Sequence, residues 1–320
     1  MRENIRIKNI ILKLVGIILF IFILTRIDLR SFSGLLKNID MYYFIAAALL
    51  LFPMLFIRAY RWNYIKRTQK INYRLWDSIL MYGSGIYIGL LTPGRIGDFI
   101  KVLYLKNDGN SVGKSFVSVF ADRISDLLFL IAFGYLGMFF FMDLFKKQVY
   151  FLFILFLAVL LIVVFVVANK KLTKKLVRKL FWFFVPSKYK EKVKVSFNDF
   201  YINLKILNRM RILKIFIMTV FAWAIYFVQV FFLAKALGIS ISFIYLSICA
   251  CISALIALIP ISISGIGTRD MTFIILFSLL AIEKEFAVAV SMLILFTSVL
   301  MALIGLACWL KKPVRFSKAI

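Results

Sequence analysis

The sequence predicts an all-α polytopic membrane protein, and its composition and charge are the observations that predict it. Apolar residues make up 63% of the 320 residues, whereas ordinary soluble domains contain about 45–50%. A soluble core cannot bury such an excess, so the bilayer must act as the solvent. The formal net charge is +27, from 41 Lys and Arg against 14 Asp and Glu. Because membrane spans exclude charge, most of these cations must lie in loops.

The sequence contains no histidine, which removes the commonest general base and the commonest metal ligand. Ser-His-Asp and Cys-His catalysis and histidine-held zinc or haem are thereby excluded. Cys249, Cys251 and Cys308 lie in apolar runs without a C-x-x-C pair, which favours buried thiols over a disulfide framework or a zinc site. We therefore expect neither a metal nor a cofactor.

Six apolar stretches are long enough to cross a bilayer as helices, which takes about 20 residues. In chain order they are 9–25, 41–57, 115–141, 150–168, 212–236 and 286–310. The first follows basic residues, as a signal peptide would. No small-x-small cleavage site follows it, so an uncleaved first span is expected.

Two further apolar regions are interrupted by glycine-rich breaks. Residues 76–91 lead into TPGRIGD at 92–98 and then into a second short apolar piece. Residues 243–259 lead, beyond a proline, into SGIGTRD at 264–270 and about eleven further apolar residues. Each region therefore predicts two half-length helices around a break, which together form a re-entrant hairpin.

Loop charges support this hairpin topology, because Lys and Arg stay on the cytoplasmic side. If each broken region were a single span, the loop 169–211 with its 13 Lys and Arg would face outside. If instead both regions return to the side they entered, the inner segments carry 28 Lys and Arg and the outer segments carry six. The segment 58–74 is one of these inner segments. This asymmetry predicts that both termini are cytoplasmic.

The predicted topology makes residues 1–320 one membrane domain with two halves. Residues 1–141 and residues 150–310 each contain two spans, a hairpin and a further span, but in opposite orientations. Such inverted repeats are typical of secondary transporters. The loop 169–211 adds two basic amphipathic helices, which predict contact with an anionic membrane surface. Nucleic acid is not the expected partner, because the aromatic residues share the apolar face.

Charged residues in the breaks are the candidate functional residues, since a charge at membrane depth costs about 2.5–3.5 kcal/mol on insertion scales. Arg95 and Arg269 are predicted to bind a phosphate group, which suits the forked guanidinium. Glycines in both breaks are predicted to complete a donor-rich cradle: Gly94, Gly97, Gly265 and Gly267. The alternative is that Arg95 pairs with Asp98 and Arg269 with Asp270 only to neutralise the breaks.

A third polar cluster, DRISD at 122–126, begins a predicted span. Asp122 and Asp126 are four residues apart and share a helix face, and Arg123 could pair with either break. The cluster is either a charge arrangement at the membrane interface or a proton site or gate. We expect its two aspartates, together with Asp98 and Asp270, to hold the arginines or to carry protons.

The segment RAYRW at 58–62 ends the second predicted span. Basic and aromatic residues are typical of the membrane interface, so this segment is predicted to be an interfacial anchor.

These motifs, in this order, resemble the lysylphosphatidylglycerol synthase transmembrane (flippase-like) family. That family has a proline-glycine-x-glycine-acid element, an acid-Arg-x-x-Asp element and a glycine-x-glycine-x-Arg-acid element, which TPGRIGD, DRISD and SGIGTRD match. RAYRW resembles the family's Arg-Trp element, and Asp98, Asp122 and Asp270 stand where Glu is common. The resemblance covers nearly the whole chain. It implies a protein of the bacterial or archaeal cytoplasmic membrane that moves lipids or lipid-linked sugars between leaflets.

Three functions follow as hypotheses. The first is a translocase for a phospholipid or a polyprenyl-phosphate-linked substrate. The second is the membrane part of a phosphatidylglycerol lysyltransferase that uses lysyl-tRNA, or of another lipid-modifying transferase. The resemblance implies a stand-alone membrane domain here, so that function needs a separate soluble transferase as its partner. The third is a scaffold that recruits a cytosolic partner through residues 169–211.

Overall fold

The structure is a computed structural model, and it describes residues 39–140, 209–259 and 264–314. Within these ranges the chain forms helices and no strand, which confirms the predicted all-α polytopic fold. The predicted spans 9–25 and 150–168 lie outside the described residues. So does the basic loop, except for its last three residues, which begin a helix.

The described helices follow one another in this order: α1 (Met41–Leu49), α2 (Leu51–Thr68), α3 (Leu75–Leu90), a 3-10 helix (Pro93–Phe99), α4 (Ile100–Asn107), α5 (Val112–Phe140), α6 (Arg209–Ala236), α7 (Phe243–Ala257), α8 (Thr268–Ser278) and α9 (Lys284–Lys311). Three described segments are long and apolar enough to cross a membrane, namely Met41–Thr68, α6 and α9. Helix α5 has 29 residues, but its first half carries the DRISD cluster. Packing of α5 against α2, α4, α6 and α7 shelters those charges.

The second span bends between α1 and α2. Pro53 has no N–H to donate to the Leu49 carbonyl, and its ring crowds that carbonyl. The helix therefore breaks at Leu50 and resumes at once. The two helices together remain one apolar segment of 28 residues.

The second span is also longer than the sequence predicted. The predicted inner loop 58–74 is wrong for its first eleven residues, because α2 continues to Thr68. Arg58, Arg61 and Lys66 thus lie on a helix inside the protein, and Arg61 and Lys66 are 0% exposed. Three cations counted as loop charges are therefore interior residues.

Both predicted hairpins are present as two helices around a break. In the first, α3 packs against the 3-10 helix and α4, and in the second α7 packs against α8. Helix α3 also packs closely on α9, where an added Cβ at Gly305 would lie 2.6 Å from the Gly83 carbonyl oxygen. Small residues of this kind let helix backbones approach in membranes.

Two groups of buried apolar side chains hold the bundle together. One joins α6, α7 and α8 to parts of α5 and α9, and the other joins α2, α3 and α4 to α9. The three cysteines are buried free thiols in these groups or beside them, which confirms their prediction. Between the two groups lies an interior cavity.

Candidate functional site

The two breaks meet inside the bundle. The Ser264 hydroxyl of the second break donates a hydrogen bond of 2.7 Å to the Leu90 carbonyl at the end of α3. Each break contains a non-glycine residue in the left-handed region, Arg95 with φ 57° and Ser264 with φ 56°, next to a glycine of the same conformation. Such strain at non-glycine residues clusters at functional sites. The contact between the breaks makes them parts of one site.

A cavity of about 590 Å³ opens at this meeting point. Its walls come from α2, α3, α5, α6, α7 and α9 and from both breaks. Its volume lies within the range of about 300–1,000 Å³ that is typical of small-molecule sites. The charged residues of its lining are Arg58, Arg95, Asp98, Arg123, Asp126 and Arg269.

The four arginines of the cavity have unused hydrogen-bond donors. Within the described residues, Arg58 Nε, Arg123 Nε and Arg269 Nη2 are buried without a hydrogen-bond partner. Arg95 is exposed to the cavity and, across the described part of the chain, its side chain makes no hydrogen bond or ion pair. A buried donor without a partner costs about 1–3 kcal/mol, so these guanidinium groups favour an acceptor in the cavity.

The structure brings the two predicted phosphate-binding arginines, Arg95 and Arg269, into the same cavity. Two of the four glycines of the predicted backbone cradle already donate their N–H groups within their own breaks. The N–H of Gly97 donates to Thr92 Oγ1 at 2.7 Å, and the N–H of Gly267 donates to Asp270 Oδ2 at 2.8 Å. These two glycines therefore shape their breaks, and their N–H groups are already occupied.

Gly97 is expected to tolerate alanine worse than Gly267 does. A Cβ on Gly97 would lie 2.3 Å from the Ile88 carbonyl oxygen, whereas a Cβ on Gly267 would meet nothing within 4 Å. Gly97→Ala should cost about 3 kcal/mol or more by overpacking against a backbone carbonyl, and Gly267→Ala about 1–2 kcal/mol, because φ 81° and ψ −52° are rare for residues with a Cβ. Thermal unfolding in detergent measures both. Equal losses of stability would contradict the close approach at Gly97.

The predicted pairing inside each break does not occur. Asp98 pairs with Arg123 instead of Arg95, with Oδ2 and Nη1 2.8 Å apart. In the second break, Arg269 Nε donates to Ser291 Oγ at 2.8 Å, and that hydroxyl donates to Asp270 Oδ1. Ser291 of α9 thus bridges Arg269 and Asp270. Neither break therefore contains a direct ion pair between its own arginine and its own aspartate, and in the second break Ser291 connects the two.

The buried Arg61 holds the DRISD cluster in place. Its Nη1 and Nη2 donate to the two carboxylate oxygens of Asp126 at 2.7 and 2.9 Å, and its Nε donates to Asp122 Oδ1 at 2.9 Å. Nη1 also donates to Thr219 of α6 at 2.8 Å. Bidentate charge-assisted bonds of this kind are the strongest and most directional ones. Arg61 therefore ties α2, α5 and α6 together.

Arg123 extends this network to the first break. Of the two breaks with which Arg123 was predicted to pair, it pairs with the first. Besides Asp98, its Nη2 lies 3.0 Å from Asp122 Oδ2 and 2.6 Å from the Tyr82 hydroxyl. Lys101 of α4 reaches the same Asp122 oxygen at 3.3 Å. One wall of the cavity is thus a buried network of cations and carboxylates.

Sequence reasoning missed Arg61 and Ser291. RAYRW was predicted to be an interfacial anchor, and this is wrong for Arg61, which is fully buried, and for Arg58, which is buried and lines the cavity. Two buried carboxylates in DRISD with one neighbouring arginine were a signal that another cation must be present. For Ser291 the sequence offered no comparable signal.

No group of three or more Cys, Asp or Glu residues able to hold a metal occurs in the ranges 39–140, 209–259 and 264–314. What the site offers is a set of fixed guanidinium donors in a largely apolar enclosure.

Helices interrupted at a shared cationic cavity define a polytopic membrane protein with an interior cavity that several helices line. Comparison with known protein families identifies the family to which this membrane protein belongs. The model of the family described as lysylphosphatidylglycerol synthase TM region matches residues 10–305. The chain therefore belongs to this family, which confirms the resemblance of its motifs.

Two relatives cover almost the same length. The UPF0104 membrane protein PH1989 of Pyrococcus horikoshii is 26% identical over 306 residues, which are 89% of this chain and 91% of the relative. The UPF0104 membrane protein MJ1595 of Methanocaldococcus jannaschii is 26% identical over 300 residues, 89% of each chain. No solved structure matches the chain.

Proposed function

We propose that this protein is a lipid translocase that carries a lipid with a phosphate head group between membrane leaflets. One observation supports this most: Arg95 and Arg269, from two separate helix breaks, reach one interior cavity. Unwound backbone at membrane depth persists only where it is buried in protein or lines a cavity. Here both breaks lie at the same cavity, as in transporters that bind substrate at discontinuous helices.

The head group would be held by the guanidinium groups. Arginine suits phosphate, because its planar fork matches two phosphate oxygens and it is always charged. The unused donors of Arg58, Arg95, Arg123 and Arg269 all belong to cavity-lining residues. A phosphate group in the cavity would offer acceptor oxygens to these guanidinium groups and offset part of the cost of unpaired donors.

The lipid chains would lie along the apolar part of the same cavity. Most of the lining is aliphatic or aromatic, from helices on both sides, for example Leu51, Met54, Ile86, Leu130, Ile294 and Met301. A phosphate site joined to an apolar surface fits an amphipathic ligand. A free, fully polar anion would leave that surface uncovered.

Translocation would proceed by movement of the two hairpins about this site. Asp98, Asp122, Asp126 and Asp270 would hold the arginines and their breaks during the movement. That these aspartates also carry protons remains a prediction. The inverted repeat of residues 1–141 and 150–310 would provide alternating access to the two leaflets.

The membrane in which the protein acts and its orientation there also remain predictions. We place the protein in the cytoplasmic membrane, with both termini on the cytoplasmic side and the basic loop 169–211 against anionic lipid. Both relatives are described as membrane proteins, which supports a membrane location. Lysyl transfer to phosphatidylglycerol, with a separate soluble transferase, is the competing hypothesis.

The test is translocation of fluorescent phospholipids in vesicles that contain the purified protein. The double variant Arg95→Ala/Arg269→Ala should move lipid at least about 100-fold more slowly than the wild type, because two charge-assisted contacts to phosphate of about 1.5–3 kcal/mol each are removed. Accessibility of the fluorophore to a membrane-impermeant quencher measures the rate.

Arg67→Ala is the matched control, because Arg67 is exposed on α2 and lies outside the cavity. It should translocate at the wild-type rate. A double variant that is folded in detergent and still translocates at the wild-type rate would disprove the proposed function. Formation of lysyl lipid from lysyl-tRNA by the purified chain would support the competing hypothesis instead.

A further inference from the structure

The charges that line the cavity do not balance. Among the described residues the lining has four arginines but only two aspartates, Asp98 and Asp126, which leaves two positive charges in excess. From this excess we infer that the site selects lipids whose head group is a terminal phosphate with two negative charges. This inference rests on the proposed function and names the substrate class of the same site.

The residues behind the cavity wall do not remove the excess. Arg61 and Lys101 add two positive charges, and Asp122 and Asp270 add two negative ones. The excess of two therefore belongs to the cavity itself. A ligand with two negative charges would neutralise it, whereas a ligand with one charge would leave a buried cation uncompensated, at considerable cost.

The excess is located on three particular arginines. Arg123 is paired with Asp98, and Asp126 is taken up by Arg61. Within the described ranges, Arg58, Arg95 and Arg269 have no carboxylate within ion-pair distance, and the Arg269 side chain donates hydrogen bonds to Ser291 and to the Ser264 carbonyl. These three guanidinium groups come from α2, the first break and the start of α8, so they approach the cavity from three elements.

A terminal phosphate matches three such donors better than a phosphodiester does. A phosphate monoester offers three strong acceptor oxygens and a charge of about −1.5 to −2 at pH 7. A phosphodiester has one charge and two free oxygens. A head group with an added amine would bring a further positive charge beside Arg58 and Arg95. The geometry thus favours phosphate monoesters over diesters and over aminoacylated or zwitterionic head groups.

Two lipid sources share this chemistry, a diacylglycerol phosphate and a polyprenyl phosphate. The experiment compares fluorescent phosphatidate with its methyl ester, which differs by one methyl group and one charge. Short-chain polyprenyl phosphate and phosphatidylglycerol are the other two arms. Each is tested in vesicles with the full-length protein, and protein-free vesicles give the spontaneous rate to subtract.

The expected result is at least a tenfold higher protein-dependent rate for phosphatidate, for polyprenyl phosphate, or for both, than for the methyl ester and phosphatidylglycerol. If only one of the monoesters moves, the inference holds and the source is identified. The inference would be overturned if neither phosphatidate nor polyprenyl phosphate moved faster than the methyl ester. The proposed function would survive that result, because the protein would still move lipid. No protein-dependent movement of any lipid would overturn both.

A charge variant tests the same inference within the protein. Arg58→Gln removes one excess charge and should lower the ratio of monoester to methyl-ester rates at least about threefold. Arg67→Gln on the same helix should leave the ratio unchanged. If Arg58→Gln fails to fold, Arg95→Gln replaces it, since the Arg95 side chain has no hydrogen-bond or ion-pair partner among the described residues. An unchanged ratio in a folded variant would contradict the inference.

Discussion

Replacing Arg61 with leucine should destabilise the protein by about 3–5 kcal/mol, the cost of removing one partner of a buried ion pair. Arg61 is 0% exposed and makes three of its hydrogen bonds to the carboxylates of Asp122 and Asp126. Without it, the Asp126 carboxylate keeps, among the residues that the structure describes, only Arg123 at 3.6 Å and the Trp223 ring N–H at 3.1 Å. Thermal unfolding in detergent measures the loss.

The matched control is Arg67→Leu, six residues further along α2 on its exposed side. Its effect should stay within about 0.5 kcal/mol, as for most surface substitutions. Adding Asp126→Asn to Arg61→Leu should recover part of the loss, because the uncompensated carboxylate is removed. If Arg61→Leu is no less stable than Arg67→Leu, Arg61 does not hold the network together.

Arg95→Gln should lower lipid translocation about 10- to 100-fold without lowering stability. The Arg95 side chain has no hydrogen-bond or ion-pair partner among the described residues, so folding loses no such contact when its charge is removed. Transport loses one charge-assisted contact to phosphate, about 1.5–3 kcal/mol. The quencher assay measures the rate, and thermal unfolding measures stability.

Arg269→Gln provides the contrast. Arg269 donates to Ser291 and to the Ser264 carbonyl, so this variant should lose both transport and stability. Wild-type transport by Arg95→Gln would show that Arg95 does not bind the head group. A loss of stability comparable to that of Arg269→Gln would show that Arg95 has a structural role.

The sequence predicted the membrane class and the two breaks because those features depend on local pattern. Apolar length, glycine and proline positions and isolated charges within apolar runs are all visible along one chain. The four motifs in order were also enough to indicate the family. Spans 41–57, 212–236 and 286–310 were placed correctly to within a few residues, except where α2 continued beyond the predicted end.

The partners of the charged residues could not be predicted in the same way. Proximity in sequence suggested that Asp98 neutralises Arg95, but Asp98 pairs with Arg123, 25 positions further on. Arg61 was assigned to the interface because basic and aromatic residues are common there. Only the continuation of α2 into the bundle carries it inward, 61 positions away from Asp122 in sequence.

The sequence by itself thus determined that charges lie in the two breaks and in DRISD, and where the helices break. Both follow from the cost of placing charge and unpaired backbone in an apolar solvent. The tertiary structure decided which charges neutralise each other and which face the cavity unpaired. That division depends on distances of a few ångströms between elements remote in sequence, because ion pairs form only at such distances. It separates Arg61, which holds the fold, from Arg58, Arg95 and Arg269, whose unused donors make the cavity a candidate phosphate site.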